Sequence, residues 1–302
     1  MTMLEKILVT SHDPQGLHAV SIFETAYNQS NLDDTLAQRL SDRAEELQSG
    51  IAKLIAELSR SDRYSLEETA SDYAYPNKYD GPKPIAEQVR AIARLFHLDQ
   101  TLALEYIKSL PPLSAGAEGW FAIPSVNALV AKYFPEVTDS GRKYCLSTEL
   151  VLAKIATARP FTNYSGKYII PDRFKASDRT TRALDLIAGT QKGDILIVPA
   201  QLGLRHRGRS VRRAREVFAG SEFGLGIIAV GSIILTHPER LFRQPELSLE
   251  LDCPGDEFDW QSALSVFLAP SFFSEGAQST GFDMHYTSAR SVFSAPASGF
   301  LF

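Results

Sequence analysis

The hydrophobic positions between residues 36 and 58 recur at the spacing of an amphipathic helix. From Leu40 onward they alternate in steps of four and three, which is the period of a heptad seam. Asn31 precedes this run and belongs to a residue type that caps helix N-termini. The pattern therefore predicts one long helix, which pairs either with another helix of the same chain or with a second copy of the protein.

The rest of the first part of the chain is also predicted to be mainly helical. A short strand is expected over residues 6–10, and a polar, turn-rich loop over 59–84. Two further helices are expected over 85–97 and 99–110, where apolar residues again recur every three or four positions. We interpret residues 1–113 as one helical region.

The second part of the chain contains short, continuous apolar runs of the buried-strand type. The clearest runs are 194–199 and 227–235, with a helix predicted between them over 210–219. Together they form a strand–helix–strand unit. The sequence therefore predicts an α+β (mixed α/β) protein, in which the helical region is followed by a sheet-containing domain over 114–302.

The composition is that of an ordinary globular protein with a substantial core. Of the 302 residues, 44% are hydrophobic and 22% are charged. The longest apolar run is far shorter than a membrane-spanning helix requires, and the first ten residues lack the features of a signal peptide. The two cysteines lie far apart in the sequence, which is typical of proteins from a reducing compartment. We therefore expect a cytoplasmic protein without a membrane partner.

Charge is distributed very unevenly along the chain. The net charge of the whole protein is −5 at pH 7. Residues 159–216 contain 13 lysines and arginines against five acidic residues, whereas residues 246–302 are strongly acidic. Such segregation indicates a local electrostatic function.

The most basic part of this region is the arginine segment, which we define as residues 203–218. It contains no lysine and six arginines within eleven positions. These are Arg205, Arg207, Arg209, Arg212, Arg213 and Arg215. Guanidinium groups bind phosphate through paired hydrogen bonds and stack on bases. Ser210 is the expected N-cap of a helix whose apolar face packs inward, so its arginines are expected to reach its flanks and the solvent.

Aromatic and further basic residues accompany the arginine segment. Tyr164 and Tyr168 lie among cations and are expected to stack on bases. Arg179, Arg182 and Lys192 extend the positive charge. The sequence thus predicts a nucleic-acid-binding protein, specific for RNA or single-stranded DNA because it contains no convincing motif for reading double-helical DNA. Reversal of three helix arginines to glutamate is expected to abolish binding while the fold survives.

Two alternatives stay open. In the first, the arginine segment pairs with acidic residues of 246–302 or with an acidic protein partner, and the protein is a structural or protein-interaction module. In the second, a few arginines clamp a small phosphorylated ligand in a binding protein or an enzyme. The pocket of such a protein is expected to collect His237 or Asp256 beside the arginines.

Residue types that serve catalysis or metal binding are not arranged in a recognisable motif. His237 beside Glu239 is more typical of a turn cap than of a general base. Four carboxylates at 252–259 surround a Pro-Gly turn, do not match an EF-hand loop, and favour a solvated turn over a cation site. Nucleotide-binding loops, nucleophile elbows and zinc motifs are missing from the sequence. We therefore expect no cofactor and no metal, and the case for an enzyme is weak.

The stretch from Gly193 to Phe218, which includes the arginine segment, resembles a group of bacterial proteins to which no activity is assigned. The resemblance continues at 222–226, 235–241 and 252–258, and covers about residues 117–260. It implies a bacterial protein. It transfers no functional residue to this chain.

Overall fold

The computed structural model describes residues 11–58, 62–241, 249–261, 266–275 and 279–302. These residues form two compact units, one ending at Arg63 and the other running from Tyr64 to Phe302. The helices predicted over 85–110 therefore belong to the same unit as the sheets. The strand predicted over 6–10 lies outside the described residues.

The first unit is helical, but its heptad run is divided between two helices. Its helices are α1 (Pro14–Gln29), α2 (Asp34–Asp42) and α3 (Ala44–Leu58). Asp33, rather than Asn31, is the N-cap of α2, since its carboxylate accepts a hydrogen bond of 2.8 Å from the amide of Leu36. The backbone leaves helical geometry at Arg43, whose φ is −108° and ψ is 36°. The prediction of one continuous helix is therefore wrong.

The second unit contains an antiparallel sheet of four strands in the order β1-β4-β10-β5. These strands are β1 (Gly119–Pro124), β4 (Ile195–Gln201), β5 (Glu222–Gly224) and β10 (Ser298–Phe300). All seven residues of β4 are buried, which explains its continuous apolar run. Gln88 joins the helix Ile85–Phe96 to the edge strand β1. Its side chain donates to the carbonyl of Trp120 and accepts from the amide of Ala122.

A second sheet contains most of the C-terminal strands, in the order β2-β9-β8-β7-β3, with β6 paired to β8. Its strands are β2 (Phe161–Asn163), β3 (Phe174–Ala176), β6 (Leu251–Asp252), β7 (Asp256–Gln261), β8 (Val266–Ser274) and β9 (Thr280–Tyr286). Strand β2 is parallel to β9, and the other pairings are antiparallel.

Seven α-helices of the described residues belong to the second unit. They are α4 (Ile85–Phe96), α5 (Thr101–Tyr106), α6 (Val126–Tyr133), α7 (Ser140–Ala158), α8 (Asp178–Gln191), α9 (Val211–Val217) and α10 (Ile227–Thr236). Short 3₁₀ helices occupy Ile107–Ser109, Gly166–Tyr168, Leu204–His206 and Pro238–Leu241. The α+β class is confirmed. Among the described residues, none of the helices combines the length and apolar character of a membrane span.

The apolar run over 227–235 is a helix, so the prediction of a strand there is wrong. Nine of the ten residues of α10 are buried. A helix enclosed on all sides has no polar face, and its sequence cannot be distinguished from that of a buried strand by periodicity. Its N-terminus is capped from a distant part of the chain, since the carboxylate of Asp256 accepts a hydrogen bond of 2.6 Å from the amide of Ile227. The second strand of the predicted strand–helix–strand unit is instead β5, and β10 lies between it and β4.

Candidate functional site

The arginine segment is held against residues 67–69 by backbone hydrogen bonds. The amide of Thr69 donates to the carbonyl of Gly208 at 2.9 Å, and the amide of Ser210 donates to the carbonyl of Glu67 at 3.0 Å. Gly208 has a φ of 77°, and a Cβ at this position would lie 2.1 Å from the carbonyl oxygen of Thr69. Only glycine therefore permits the close approach of the two segments.

Two consecutive glutamates of this neighbouring segment pair with arginines. The Nε atom of Arg212 lies 2.7 and 2.8 Å from the two carboxylate oxygens of Glu67. Arg213 contacts Glu68 at 2.5 Å and Glu216 at 2.8 Å, and Arg209 lies 3.3 Å from Glu68. The hydrogen bonds from Arg212 lower the pKa of Glu67. These arginines consequently have carboxylate partners within their own chain.

A buried carboxylate, Glu222, organises the N-terminal part of the arginine segment. It is completely buried and lies 2.7 Å from Nε2 of His206 and 3.4 Å from Nε of Arg205. Ser298 donates a hydrogen bond of 2.5 Å to the same carboxylate. Burial alone would raise the pKa of Glu222, but the hydrogen bonds from His206 and Ser298 outweigh it, and the net shift is downward.

Arg215 and Arg179 bond to backbone carbonyl groups. Arg215 donates to the carbonyls of Pro254 at 2.9 Å and Asp256 at 2.7 Å, and burial lowers its pKa. Arg179 donates to the carbonyls of residues 219 and 220, and burial also lowers its pKa. Arg207 is exposed and donates to the carbonyl of Tyr73 at 3.0 Å.

Of the other predicted site residues, Arg182 lies beside these arginines, whereas the two tyrosines contact strands of the six-stranded sheet. Arg182 is exposed and lines a cavity of about 300 Å³ together with Arg179 and Arg215. Lys192 is exposed at the C-terminal end of α8. Tyr164 follows β2 and Tyr168 ends a 3₁₀ helix, and their rings contact those of Phe273 and Phe258, respectively, at centroid distances of 6.3 Å in both cases.

The carboxylates that neutralise the arginine segment are not mainly those expected from the sequence. Glu67, Glu68, Glu216 and Glu222 lie outside the acidic region 246–302, and Glu257, at 3.7 Å from Arg215, is the partner that this region contributes within the described residues. The predicted pairing of arginines with carboxylates is therefore present. Apart from Glu257, the partners named here come from elsewhere in the chain.

The Pro-Gly turn at 252–259 is part of the core, which corrects the expectation of a solvated turn. Asp252 and Asp256 are buried, with exposed fractions of 6% and 0%. Gly255 packs against the backbone of residues 224–226. His237 is also fully buried, and its Nε2 accepts a hydrogen bond of 2.9 Å from the amide of Lys83. Burial lowers the pKa of His237 to about 4, so its imidazole is neutral and structural.

A second concave site lies between the four-stranded sheet and helices α6, α7, α8 and α10. Its volume is about 390 Å³, which is within the range of pockets for small molecules. Its apolar wall includes Ile123 and Leu196 from the sheet, Val126 from α6, Leu184 from α8 and Ile228 from α10. We call this site the α6–α10 cavity.

Three helix N-termini meet at the α6–α10 cavity. Ser125, at the start of α6, lines the cavity with 6% of its surface exposed, and its side chain forms no capping hydrogen bond. The N-terminus of α7 is capped by Asp139, which accepts from the amide of Arg142 at 2.7 Å. The N-terminus of α10 is capped by Asp256. Of the three, only the start of α6 has no anionic side chain on its amides, and it is the end that can accept an external anion.

Charged side chains at the α6–α10 cavity are predominantly basic. Lys143 lines it and forms no ion pair within the part of the chain that the structure describes. Lys175 also lines it and lies 3.6 Å from Glu257. Asp185, on α8, is the opposing carboxylate, and burial raises its pKa. The balance favours a negatively charged ligand group.

Tyr144 connects the cavity wall to the buried carboxyl of Asp256. Its hydroxyl lies 2.5 Å from Oδ1 of Asp256. A Cβ on Gly226 would lie 2.4 Å from this Oδ1 and 2.7 Å from the tyrosine oxygen, so glycine is required at the point where the two groups meet. Burial raises the pKa of Asp256 to about 7 and raises that of Tyr144 as well. The pair therefore contains a carboxyl that exchanges its proton near neutral pH.

Sequence reasoning did not find most residues of this cavity. Ser125, Lys143, Tyr144 and Lys175 are common residue types, and they come from separate elements that only the fold brings together. Asp256 was singled out, and the structure places it behind the cavity wall and beside Arg215. His237 is not among the cavity-lining residues of the described chain.

Comparisons with protein-family models, with curated proteins and with solved structures found no match. The resemblance to a group of bacterial proteins therefore stays a prediction. The function must be argued from the chemistry of the site.

Proposed function

We propose that this protein binds a small molecule in the α6–α10 cavity, and that the molecule combines a negatively charged group with an apolar part. The observation that carries the proposal is the start of α6, where a buried, uncapped Ser125 lines an apolar cavity. Such a cavity with a few polar groups at one end is typical of small-molecule sites.

The polar and the apolar lining residues of the cavity support the two halves of this ligand. The amides at the start of α6 carry partial positive charge, and Lys143 adds a full charge without a competing ion pair among the described residues. Lys175 adds a second cation at the cavity. The apolar residues of the sheet, α8 and α10 favour an aliphatic or aromatic group. A carboxylate or a phosphate monoester that bears a short hydrocarbon chain fits this arrangement.

Nucleic-acid binding by the arginine segment stays a prediction. Such binding requires guanidinium groups that are free to contact phosphate. Arg209, Arg212 and Arg213 contact glutamates, and Arg215 is bonded to two carbonyls. Arg207 is the member of the segment with the weakest internal contacts, and it is the residue on which this prediction now depends.

Calorimetric titration with octyl phosphate, octanol and inorganic phosphate tests the proposal. We expect octyl phosphate to bind about tenfold or more tightly than either comparison compound, since each of them lacks one half of the ligand. Replacement of Lys143 by glutamine should weaken octyl phosphate binding by about tenfold, as expected for loss of one charge-assisted contact.

Lys132 provides the matched control. It lies in the last turn of α6, is exposed, and does not line the cavity. The Lys132→Gln variant makes the same change in net charge and should bind octyl phosphate like the wild type. Equal weakening by both substitutions would show a non-specific charge effect, and equal affinity for octanol and octyl phosphate would overturn the anionic part of the proposal.

A further inference from the structure

A separate cavity of about 240 Å³ lies beside strand β6 of the six-stranded sheet. Two carboxylates, Glu250 and Asp252, line it together with His285 and Ser294. Val211, Ala269 and Ala289 contribute apolar wall. We call it the β6 cavity. It shares no lining residue with the α6–α10 cavity.

The backbone that carries the two carboxylates of the β6 cavity is held by hydrogen bonds. The amide of Glu250 donates to the carbonyl of Phe293 at 2.9 Å. Asp252 donates from its amide to the carbonyl of Ala295 at 3.2 Å, and its carboxylate accepts from the amide of Ala295 at 3.0 Å. Residues two apart on an extended strand project to the same face. The backbone is therefore fixed at both residues, and the carboxylate of Asp252 is also fixed by its own hydrogen bond.

The charge of Glu250 is not compensated by the described part of the chain. No hydrogen bond or ion pair is formed by the carboxylate of Glu250 there, and the charged group that acts on it is Asp252. Asp252 is buried, and His285 is the titratable group that faces it. Burial raises the pKa of Glu250 to about 7, with a further contribution from Asp252. A cation placed between the two carboxylates would remove this repulsion.

Ser294 gives an independent indication that the cavity receives a polar group. Its exposed fraction is 8%, it lines the cavity, and its hydroxyl has no hydrogen-bond partner in the part of the chain that the structure describes. The hydroxyl oxygen is not enclosed in the core, so a polar group bound in the cavity can supply its partner. The hydroxyl and the two carboxylates together give this cavity three acceptor groups.

The arrangement suits an ammonium group better than a metal ion. In the described residues no three His, Cys, Asp or Glu side chains approach closely enough to hold a metal. Calcium and magnesium also require six or more oxygen ligands or retained waters. An ammonium group has three N–H donors, one for each of these three acceptor groups. The apolar residues Val211, Ala269 and Ala289 can then contact the methylene groups that follow it.

We propose that the β6 cavity is a binding site for the ammonium group of a primary alkylamine. This inference does not depend on the anion-binding function proposed for the α6–α10 cavity. The ammonium group would donate to the carboxylates of Glu250 and Asp252 and to the hydroxyl of Ser294. A free alkylamine and the side chain of a lysine share this chemistry, and the experiment distinguishes the two sources.

Chemical-shift titrations of the full chain at pH 8 with butylammonium, tetramethylammonium and Nα-acetyl-lysine amide test the site. We expect butylammonium to bind about tenfold or more tightly than tetramethylammonium, which has no N–H donor. Tighter binding of the lysine derivative than of butylammonium would assign the site to a lysine side chain, and the reverse order would assign it to a free amine. Binding of butylammonium that does not exceed that of tetramethylammonium would overturn the proposal.

Two variants locate the binding and guard against misfolding. Glu250→Gln removes one charge while its backbone hydrogen bond to Phe293 is retained, and it should weaken butylammonium binding by about tenfold. Ser294→Ala should weaken it less. Glu275→Gln removes an exposed carboxylate outside the cavity and serves as the control. Octyl phosphate binding should be the same in all three variants, and unchanged butylammonium affinity in Glu250→Gln would reject this site.

Discussion

The guanidinium group of Arg212 lies against the carboxylate of Glu67, with its Nε atom 2.8 Å from one oxygen and 2.7 Å from the other. These residues are 145 positions apart in the sequence. The contact joins the loop that precedes α4 to the start of α9. Both residues belong to the second unit. The high density of positive charge in the arginine segment is thus matched by glutamates that the charge distribution along the sequence did not indicate.

We expect the Glu67→Gln substitution to destabilise the protein by about 1 kcal/mol. The carboxylate side chain is 16% exposed and that of Arg212 is 40% exposed, so solvent screens part of a charged hydrogen bond. Urea unfolding measures the effect. Glu105→Gln removes the partner of Lys108 in a pair whose two side chains are about 70% exposed, and this control should change stability by less than about 0.5 kcal/mol. Equal effects of the two substitutions would contradict a structural role for the Glu67 contact.

Simultaneous reversal of Arg212, Arg213 and Arg215 to glutamate should unfold the second unit. The new carboxylates would face Glu67, Glu68 and the carbonyl groups that Arg215 now satisfies, and the expected loss exceeds about 3 kcal/mol. This outcome differs from the expectation drawn from sequence, which was a folded variant without nucleic-acid binding. Circular dichroism and urea unfolding distinguish the two. A triple variant with wild-type stability would show that the internal pairs contribute little.

Arg207→Glu is the variant that tests nucleic-acid binding without this complication. Arg207 is exposed and donates to a backbone carbonyl, so its replacement should change stability by less than about 0.5 kcal/mol. If the arginine segment binds single-stranded RNA, this folded variant should bind more weakly and with a smaller dependence on salt. Unchanged RNA binding, or no binding by the wild type, would argue against the nucleic-acid prediction.

Local sequence patterns predicted those elements whose environment is simple. α4 and β4 were predicted within a few residues, since the first has one apolar face and the second is buried throughout. Strand β4 and helix α10 have equally continuous apolar sequences, and only their partners distinguish them. The amide of Ile227 is capped by Asp256, which is distant in the sequence. The residues just before Ile227 therefore give no capping signal from which the start of α10 could be predicted.

The candidate site was less predictable than the fold, because charge partners depend on three-dimensional proximity. The arginine segment is conspicuous in the sequence, but Glu67 and Glu68 are two glutamates among many. The same holds for Lys143 and Ser125, whose importance follows from the cavity that surrounds them. A dense charge run in one sequence therefore identifies where electrostatic contacts occur. It does not identify whether the partner is internal or external.

Asp185→Asn should tighten the binding of octyl phosphate by about fivefold. Asp185 is the carboxylate that lines the α6–α10 cavity, and its removal relieves repulsion of a bound anion at a distance of several ångströms. The control is Asp178→Asn, which removes a carboxylate from the first turn of the same helix but away from this cavity. Weaker binding in Asp185→Asn would mean that this carboxylate holds a lysine or the ligand in place, and would contradict a purely repulsive role.

The last prediction concerns the pH dependence of stability. Burial raises the pKa of Asp256 to about 7 in the folded protein, above the ordinary value of 3.8. The folded state therefore binds more protons than the unfolded state between about pH 4 and 7, and the stability that this group contributes is present below pH 4 and is lost as the pH rises to about 7. The integrated loss is at most about 4 kcal/mol, at 1.36 kcal/mol for each pKa unit.

Asp256→Asn should remove this loss. The asparagine oxygen can still accept from the amide of Ile227, and the side chain remains within reach of the Tyr144 hydroxyl. Because both proteins contain Glu250 and His237, the difference between their unfolding free energies isolates the contribution of Asp256. We expect the variant to gain stability relative to the wild type between pH 5 and pH 8, measured by urea unfolding at each pH. A constant difference over this range would show that Asp256 ionises in the folded protein as it does in water.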